Sequence, residues 1–198
     1  MKTVEYAAPN LILPSLLGVN NIVVEGVNGS GKTTLANQLK EKYGYKVLKE
    51  GLNINPPNPV LPKGHDRKYS NRCHKEYLAR ILQRRSVERL VGNNERVVYD
   101  RRGLSTLVFQ GHVATTDQVE KIVRDCKDYL FLIVDVPPGV ALQRLINRKD
   151  PRFTNLSISV LHRWLVESSR QYHAWGRFLA ANGVDVVVVT SFEWYSLN

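Results

Sequence analysis

Cysteine is scarce in this chain of 198 residues, and the two present, Cys73 and Cys126, are too few and too widely spaced for a disulfide framework or a four-ligand zinc site. Both read as free thiols of a reducing compartment. Long apolar runs are also missing. The stretch from Leu11 to Val19 is short, is interrupted by Pro14 and follows Glu5 rather than a basic cluster, which argues against a secretion signal or a membrane span. A cytoplasmic protein with no membrane association is expected. Internal repeats and low-complexity tracts are absent. Acidic residues are in deficit, 18 against 28 lysines and arginines, for a formal charge of +10. Between Lys63 and Arg102 there are twelve basic residues and five acids, so most of the surplus lies in that segment. Such a cluster suits an anion, either a nucleotide phosphate or a nucleic-acid backbone.

What is present is ordinary for a folded protein: 43% hydrophobic and 23% charged residues. The length predicts a single domain, 21–198, behind an irregular lead-in at 1–20 that contains Pro9, Pro14 and Gly18. From Asn21 onward, short β-branched runs alternate with helical stretches. Strands are expected at Ile22 to Val24, Lys46 to Lys49, Val97 to Tyr99, Leu130 to Val134 and Val184 to Val189. Helices are expected over Thr33 to Tyr43, Tyr69 to Val91, Val140 to Asn147 and Ser157 to Ala181, the third opening at Pro137-Pro138 and the fourth closing at Asn182-Gly183. A long loop with four prolines runs from Gly51 to Gly64. The alternation predicts an α/β fold, a three-layer α/β/α sandwich around a five-stranded parallel sheet.

The chemistry centres on Gly26-Val27-Asn28-Gly29-Ser30-Gly31-Lys32-Thr33, which meets the pattern GxxxxGK[ST] between a strand and a helix, the P-loop signature of a P-loop NTPase. Its glycines let successive backbone N–H groups converge on phosphate oxygens at the positive end of the following helix. Residues 26–34, through Thr34, are thus candidate ATP-binding positions. Lys32 is expected to reach the β- and γ-phosphates, and Thr33 to offer its hydroxyl to Mg²⁺.

Further candidates lie at the carboxyl edge of the expected sheet. Asp100 can hold a metal ion and Arg101 can grip an acceptor phosphate. Arg144, Arg148 and Arg152 recur every four residues, and the last two are candidate catalytic cations for the charge that develops during phosphoryl transfer. Glu50, ending the second strand, is placed to act as base on a sugar hydroxyl if the acceptor is a nucleoside.

These pieces together resemble the thymidylate kinase family over about residues 21 to 190. The likeness rests on Ile22-Val23-Val24-Glu25-Gly26 through Lys32-Thr33-Thr34-Leu35, on Asp100-Arg101-Arg102-Gly103-Leu104-Ser105 through Phe109-Gln110-Gly111, on Leu132 to Pro138 with Ala141, Leu142 and Arg144, and on Arg170-Gln171-Tyr172. The resemblance implies an ATP- and Mg²⁺-dependent kinase that transfers the γ-phosphate to a deoxynucleoside monophosphate, and, as often in that family, a homodimer. It further implies that Arg101 holds the acceptor phosphate, that Ser105 and Gln110 line the base pocket, and that one of Arg80, Arg84 or Arg85, with Arg84 taken here, is a second phosphate ligand. Asn28 stands where the family usually has Asp, and Gly29 where some members carry an arginine. Two alternatives stay open: a deoxynucleoside kinase using Glu50, and a kinase acting on nucleic acid at a 5′-hydroxyl or a modified base.

Overall fold

The computed structural model describes residues 5–7, 18–49, 78–79, 82 and 95–190. Its strands are β1 (Glu5–Ala7), β2 (Asn21–Glu25), β3 (Lys46–Lys49), β4 (Val97–Asp100), β5 (Leu130–Asp135) and β6 (Asp185–Thr190). The helices are α1 (Lys32–Tyr43), α2 (Gly103–Gln110), α3 (Thr116–Cys126), α4 (Pro138–Asn147) and α5 (Ile158–Ala181), with a 3₁₀ turn at Gly111–Val113.

All five expected strands are present and pair in parallel. A sixth, β1, arises within the segment read as an irregular lead-in and pairs with β6, Glu5 opposite Val187. The order across the sheet is β1-β6-β5-β2-β4-β3. β2 therefore lies between β5 and β4, where the chain turns from building one half of the sheet to the other. In such sheets the crevice beyond the carboxyl ends of the central strands is where ligands bind.

The apolar runs explain the placement. Ile22, Val23 and Val24 are each fully buried, as a central parallel strand covered on both faces requires. Alternate residues serve opposite layers. Ile22, Val24, Val98, Leu132 and Val134 pack on Leu35, Ala36 and Leu39 of α1. Val23, Tyr99, Phe131 and Ile133 belong to the larger core that includes Leu104 and Leu107 of α2 and Trp164, Leu165 and Tyr172 of α5. The three-layer sandwich follows from this period-two division of the strands.

Helices α2 and α3 were not anticipated in sequence. The start of α3 does carry a local signal, since Thr115 and Gln118 form a reciprocal capping box. The N-cap residue of α2, Arg102, makes no side-chain cap. Of the basic helix expected over Tyr69 to Val91, residues 78–79 and 82 are helical, and Leu78 and Leu82 are buried in the larger core. The remainder of that helix and the loop from Gly51 to Gly64 lie outside the described residues.

Candidate active site

The loop between β2 and α1 is shaped by close backbone approaches. Gly26 adopts φ 140° with the Val134 carbonyl oxygen only 2.4 Å from where a Cβ would stand, and Gly29 adopts φ 82° with Ala141 O at 2.6 Å. Both neighbours are backbone, so neither can yield to a side chain. The root of the loop is thereby pressed on β5 and its tip on α4. Lys32, the first residue of α1, folds back so that its Nζ donates to Val27 O at 2.7 Å. The first turn of α1 contains no acidic residue, which leaves the positive end of the helix uncompensated.

Thr33 lies on α1 beside the end of β4, its Oγ1 donating to Asp100 Oδ2 at 2.9 Å. A hydroxyl and a carboxylate side by side are hard oxygen donors of the kind Mg²⁺ accepts, with phosphate oxygens and water completing its shell. No group of three or more His, Cys, Asp or Glu suited to a metal occurs among the described residues. An all-protein metal cage is therefore not what the described residues build, and a phosphate-bridged ion fits the Thr33–Asp100 pair.

Next in the chain, Arg101 leaves the sheet edge in the left-handed region, φ 74°. Its Nη1 donates to Tyr172 Oη at 2.7 Å and to Ser105 Oγ at 3.2 Å, and its Nη2 donates to Asn28 Oδ1 at 2.6 Å. Beneath it lies Glu25, fully buried at the end of β2. Burial pushes the Glu25 carboxyl up from its ordinary range, opposed by the Arg101 charge and by bonds from Ser105 and Arg102.

Over the opposite side stands the arginine row. Arg144 Nη1 donates to Gly29 O at 2.9 Å and so pins the loop tip to α4. Arg148 and Arg152 converge on Asp150: Arg148 Nη2 to Oδ2 at 2.9 Å, Arg152 Nε to Oδ1 at 2.9 Å and Nη2 to Oδ2 at 2.7 Å. The hydrogen bonds from Arg152 hold the Asp150 carboxyl below its ordinary range, against the opposing effect of burial.

A cavity of ≈ 270 Å³ is lined by Asn28, Gly29, Gly31, Lys32, Thr33 and Thr34 on one side and by Asp100, Arg101, Arg144, Arg148 and Arg152 on the other. The sequence candidates Lys32, Thr33, Asp100, Arg101, Arg148 and Arg152 thus meet around one cavity. Gly26, Val27 and Ser30 are buried behind it and shape the loop. Ser105 lies beneath Arg101 rather than on the cavity wall, and Gln110 is fully buried with both amide atoms unpartnered. Glu50 and Arg84 lie outside the described residues, as do Arg80 and Arg85. Sequence reasoning missed the roles of Glu25, Tyr172 and Asp150. Each works through a contact to a residue distant in sequence or to a neighbour whose direction only the fold sets.

Of the basic run ending at Arg102, three cations, Arg96, Arg101 and Arg102, lie among the described residues. Arg102 is 4% exposed and stacks between the Tyr99 and Tyr129 rings, at 4.8 and 4.4 Å from their centroids. Arg96 stacks on Tyr45 at 4.5 Å. Both cations are spent on cation–π packing rather than presented as a docking face. Among the described residues no helix is long and apolar enough to cross a membrane.

Comparisons with known proteins agree with this geometry. A family model described as an AAA domain matches residues 25–161. A probable thymidylate kinase of Metallosphaera sedula is 30% identical over 137 residues, covering 67% of this chain and 68% of that protein. Probable thymidylate kinase 1 of Saccharolobus solfataricus is 29% identical over 148 residues, covering 65% of this chain and 71% of that protein. Among solved structures, deoxyadenosine kinase from M. mycoides with bound dATP superposes with a TM-score of 0.56 at 15% identity, over 86% of this chain and 90% of that one. The YorR protein of Bacillus subtilis superposes with a TM-score of 0.51 at 17% identity, over 88% of each chain. The structural likenesses establish a shared α/β fold.

Proposed function

The chain belongs to the thymidylate kinase family of P-loop phosphotransferases, and from that membership we propose that it transfers the γ-phosphate of ATP to a deoxynucleoside monophosphate with a thymidylate-like base. The observation that carries the proposal is the shared cavity, in which the phosphate loop, the Thr33–Asp100 pair, Arg101 and the arginine row face one another.

Phosphoryl transfer asks little covalent chemistry of a protein. An oxygen of the acceptor phosphate forms the new bond to the γ-phosphorus as the bond to the β–γ bridging oxygen breaks, giving ADP and a deoxynucleoside diphosphate. The acceptor oxygen is already ionised at neutral pH, so no strong base is needed. This suits a cavity whose one carboxylate among its lining residues, Asp100, is engaged by Thr33. Thr33 and Asp100 would hold Mg²⁺, which when bound neutralises charge on the β- and γ-oxygens. Loop N–H groups and Lys32 would hold the donor phosphates. Arg101, fixed by three oxygens, would hold the acceptor phosphate in line with them. Arg148 and Arg152 would face the negative charge spread over the transferring oxygens, in a site where fixed cations cost no reorganisation. The buried, unpaired amide of Gln110 supports a role in reading the acceptor base, because an unpartnered buried amide is costly unless a ligand satisfies it.

The test is ATP consumption with a panel of deoxynucleosides, their monophosphates and oligonucleotides, with Lys32→Ala as control. Turnover selective for a monophosphate and abolished in the variant is expected. Absence of Lys32-dependent turnover on every acceptor would overturn the proposal, and turnover on nucleosides alone would move the acceptor assignment.

A further inference from the structure

Glu25 is the residue before the first glycine of the phosphate loop, yet its carboxyl group bonds to Arg102, Ser105 and Tyr172, around Arg101. Its Oε1 accepts from Arg102 N at 2.7 Å and Ser105 N at 3.1 Å, which caps the first turn of α2 in place of the missing local cap. Its Oε2 accepts from the Ser105 hydroxyl and, at 3.5 Å, from the Tyr172 hydroxyl. Those same two hydroxyls accept from Arg101 Nη1.

The direction of these bonds matters. A guanidinium only donates, so a hydroxyl facing it must accept, and the single proton of that hydroxyl must go elsewhere. The Ser105 proton goes to Glu25 Oε2, and the Tyr172 proton has either Glu25 Oε2 at 3.5 Å or Ser105 Oγ at 3.2 Å, so both paths end on that carboxylate, directly or through Ser105. Two hydroxyls are thus oriented lone pair first toward Arg101 by one buried carboxylate, whose negative charge also lies one hydroxyl away from the guanidinium. The main chain adds to this. Arg101 N donates to Val24 O at 3.0 Å, so the end of β2 grips the backbone at Arg101 and Arg102 around the left-handed residue. An uncharged glutamine could keep the cap through its one acceptor oxygen but not the orientation of the two hydroxyls.

We propose that Glu25 is the positioning residue of the acceptor-phosphate arginine, aligning Arg101 with the phosphate loop through Ser105 and Tyr172. Because Glu25 and Gly26 are joined by one peptide bond, the donor cradle and the acceptor grip share a common origin, and in-line transfer depends on their register. The proposal rests on the reading of Arg101 given above.

Steady-state kinetics with ATP and the monophosphate selected by the panel above, dTMP first, tests it in Glu25→Gln, Tyr172→Phe, the double variant and Arg101→Ala. Glutamine keeps one acceptor for the backbone N–H groups but presents an NH₂ to the two hydroxyls, reversing their polarity. The KM for the monophosphate is expected to rise about 10-fold in Glu25→Gln and several-fold in Tyr172→Phe, with the KM for ATP within about 2-fold of wild type. The double variant should be no worse than Glu25→Gln, the signature of residues acting along one path. An equal rise in both KM values, an unchanged monophosphate KM, or fully additive effects would overturn the assignment. Should Glu25→Gln not fold, an unchanged monophosphate KM in Tyr172→Phe overturns it alone. An unaffected Arg101→Ala would remove the role of Arg101 and this inference with it, whereas an effect at Arg101 without one at 25 and 172 overturns only the assignment of Glu25.

Discussion

Replacing Asp150 with Asn isolates the contribution of the one carboxylate that organises the arginine row. Its side chain is only 6% exposed, whereas those of Arg148 and Arg152 are 53% and 52% exposed. It receives three guanidinium bonds and the Arg152 N–H at 3.2 Å. Charge-assisted bonds of this kind contribute roughly 1.5–3 kcal/mol when buried. Half-exposed arginines are screened, so a loss of about 1–2 kcal/mol at pH 7 is the working figure. That corresponds to a Tm lower by ~2–8 °C for a chain of this size. The amide NH₂ also meets two cations that can only donate, so Arg148 and Arg152 lose their common anchor, and kcat should fall about 10-fold. The pH dependence carries the sign. Because the folded carboxyl is held below its ordinary value, its stabilisation is fully present above the unfolded pKa near ~3.9 and is lost as pH falls through the lower folded value. Urea denaturation of both proteins should show a constant gap from about pH 7 to pH 5 that closes below about pH 4. A gap that persists undiminished at acid pH, or no gap at neutral pH, would refute the ion-pair account; an unchanged kcat would refute its link to catalysis.

Gly29→Ala should destabilise the fold by roughly 2–4 kcal/mol in denaturant melts and sharply weaken ATP binding, since φ 82° and a carbonyl at 2.6 Å leave the methyl no room. Gln110→Met should leave stability unchanged or up to about 1 kcal/mol higher in the same melts, because it removes two unpaired buried polar atoms, while raising the acceptor KM at least about 10-fold. A stability loss without a kinetic one would instead make Gln110 a structural residue. Thr33→Ala, at an exposed position, should shift stability by less than about 0.5 kcal/mol. It should raise the Mg²⁺ concentration for half-maximal turnover roughly 10-fold, measured by metal titration at saturating ATP.

Legibility in the sequence tracked how local each signal was. The phosphate loop could be read outright, because a tight anion-binding turn demands glycine and lysine at set positions within eight residues. The strands could be read because both faces of a central parallel sheet are buried, which writes continuous apolar runs such as Ile22 to Val24 and Leu130 to Val134. Helix α3 was legible in its capping box and was overlooked. Helix α2 was not legible at its start, since its cap is Glu25 from another strand. β1 is three residues long and is defined by its pairing with β6 at the far end of the chain, so no local pattern marks it. Arg96 and Arg102 read as part of a basic anion-docking run, and only packing revealed them as partners of tyrosine rings.

The sequence by itself determined that a glycine-rich P-loop joins a strand to a helix in a parallel α/β fold, because spacing along the chain is enough to specify a turn and a pattern of burial. Tertiary structure decided which cations face that loop and which are buried elsewhere, how Asn28, Ser105 and Tyr172 grip Arg101, and that Asp150 gathers Arg148 and Arg152. Those facts depend on distances between residues up to 147 positions apart, as between Glu25 and Tyr172. A hydrogen bond a few ångströms long between such residues exists only once the sheet has brought its strand ends to one edge.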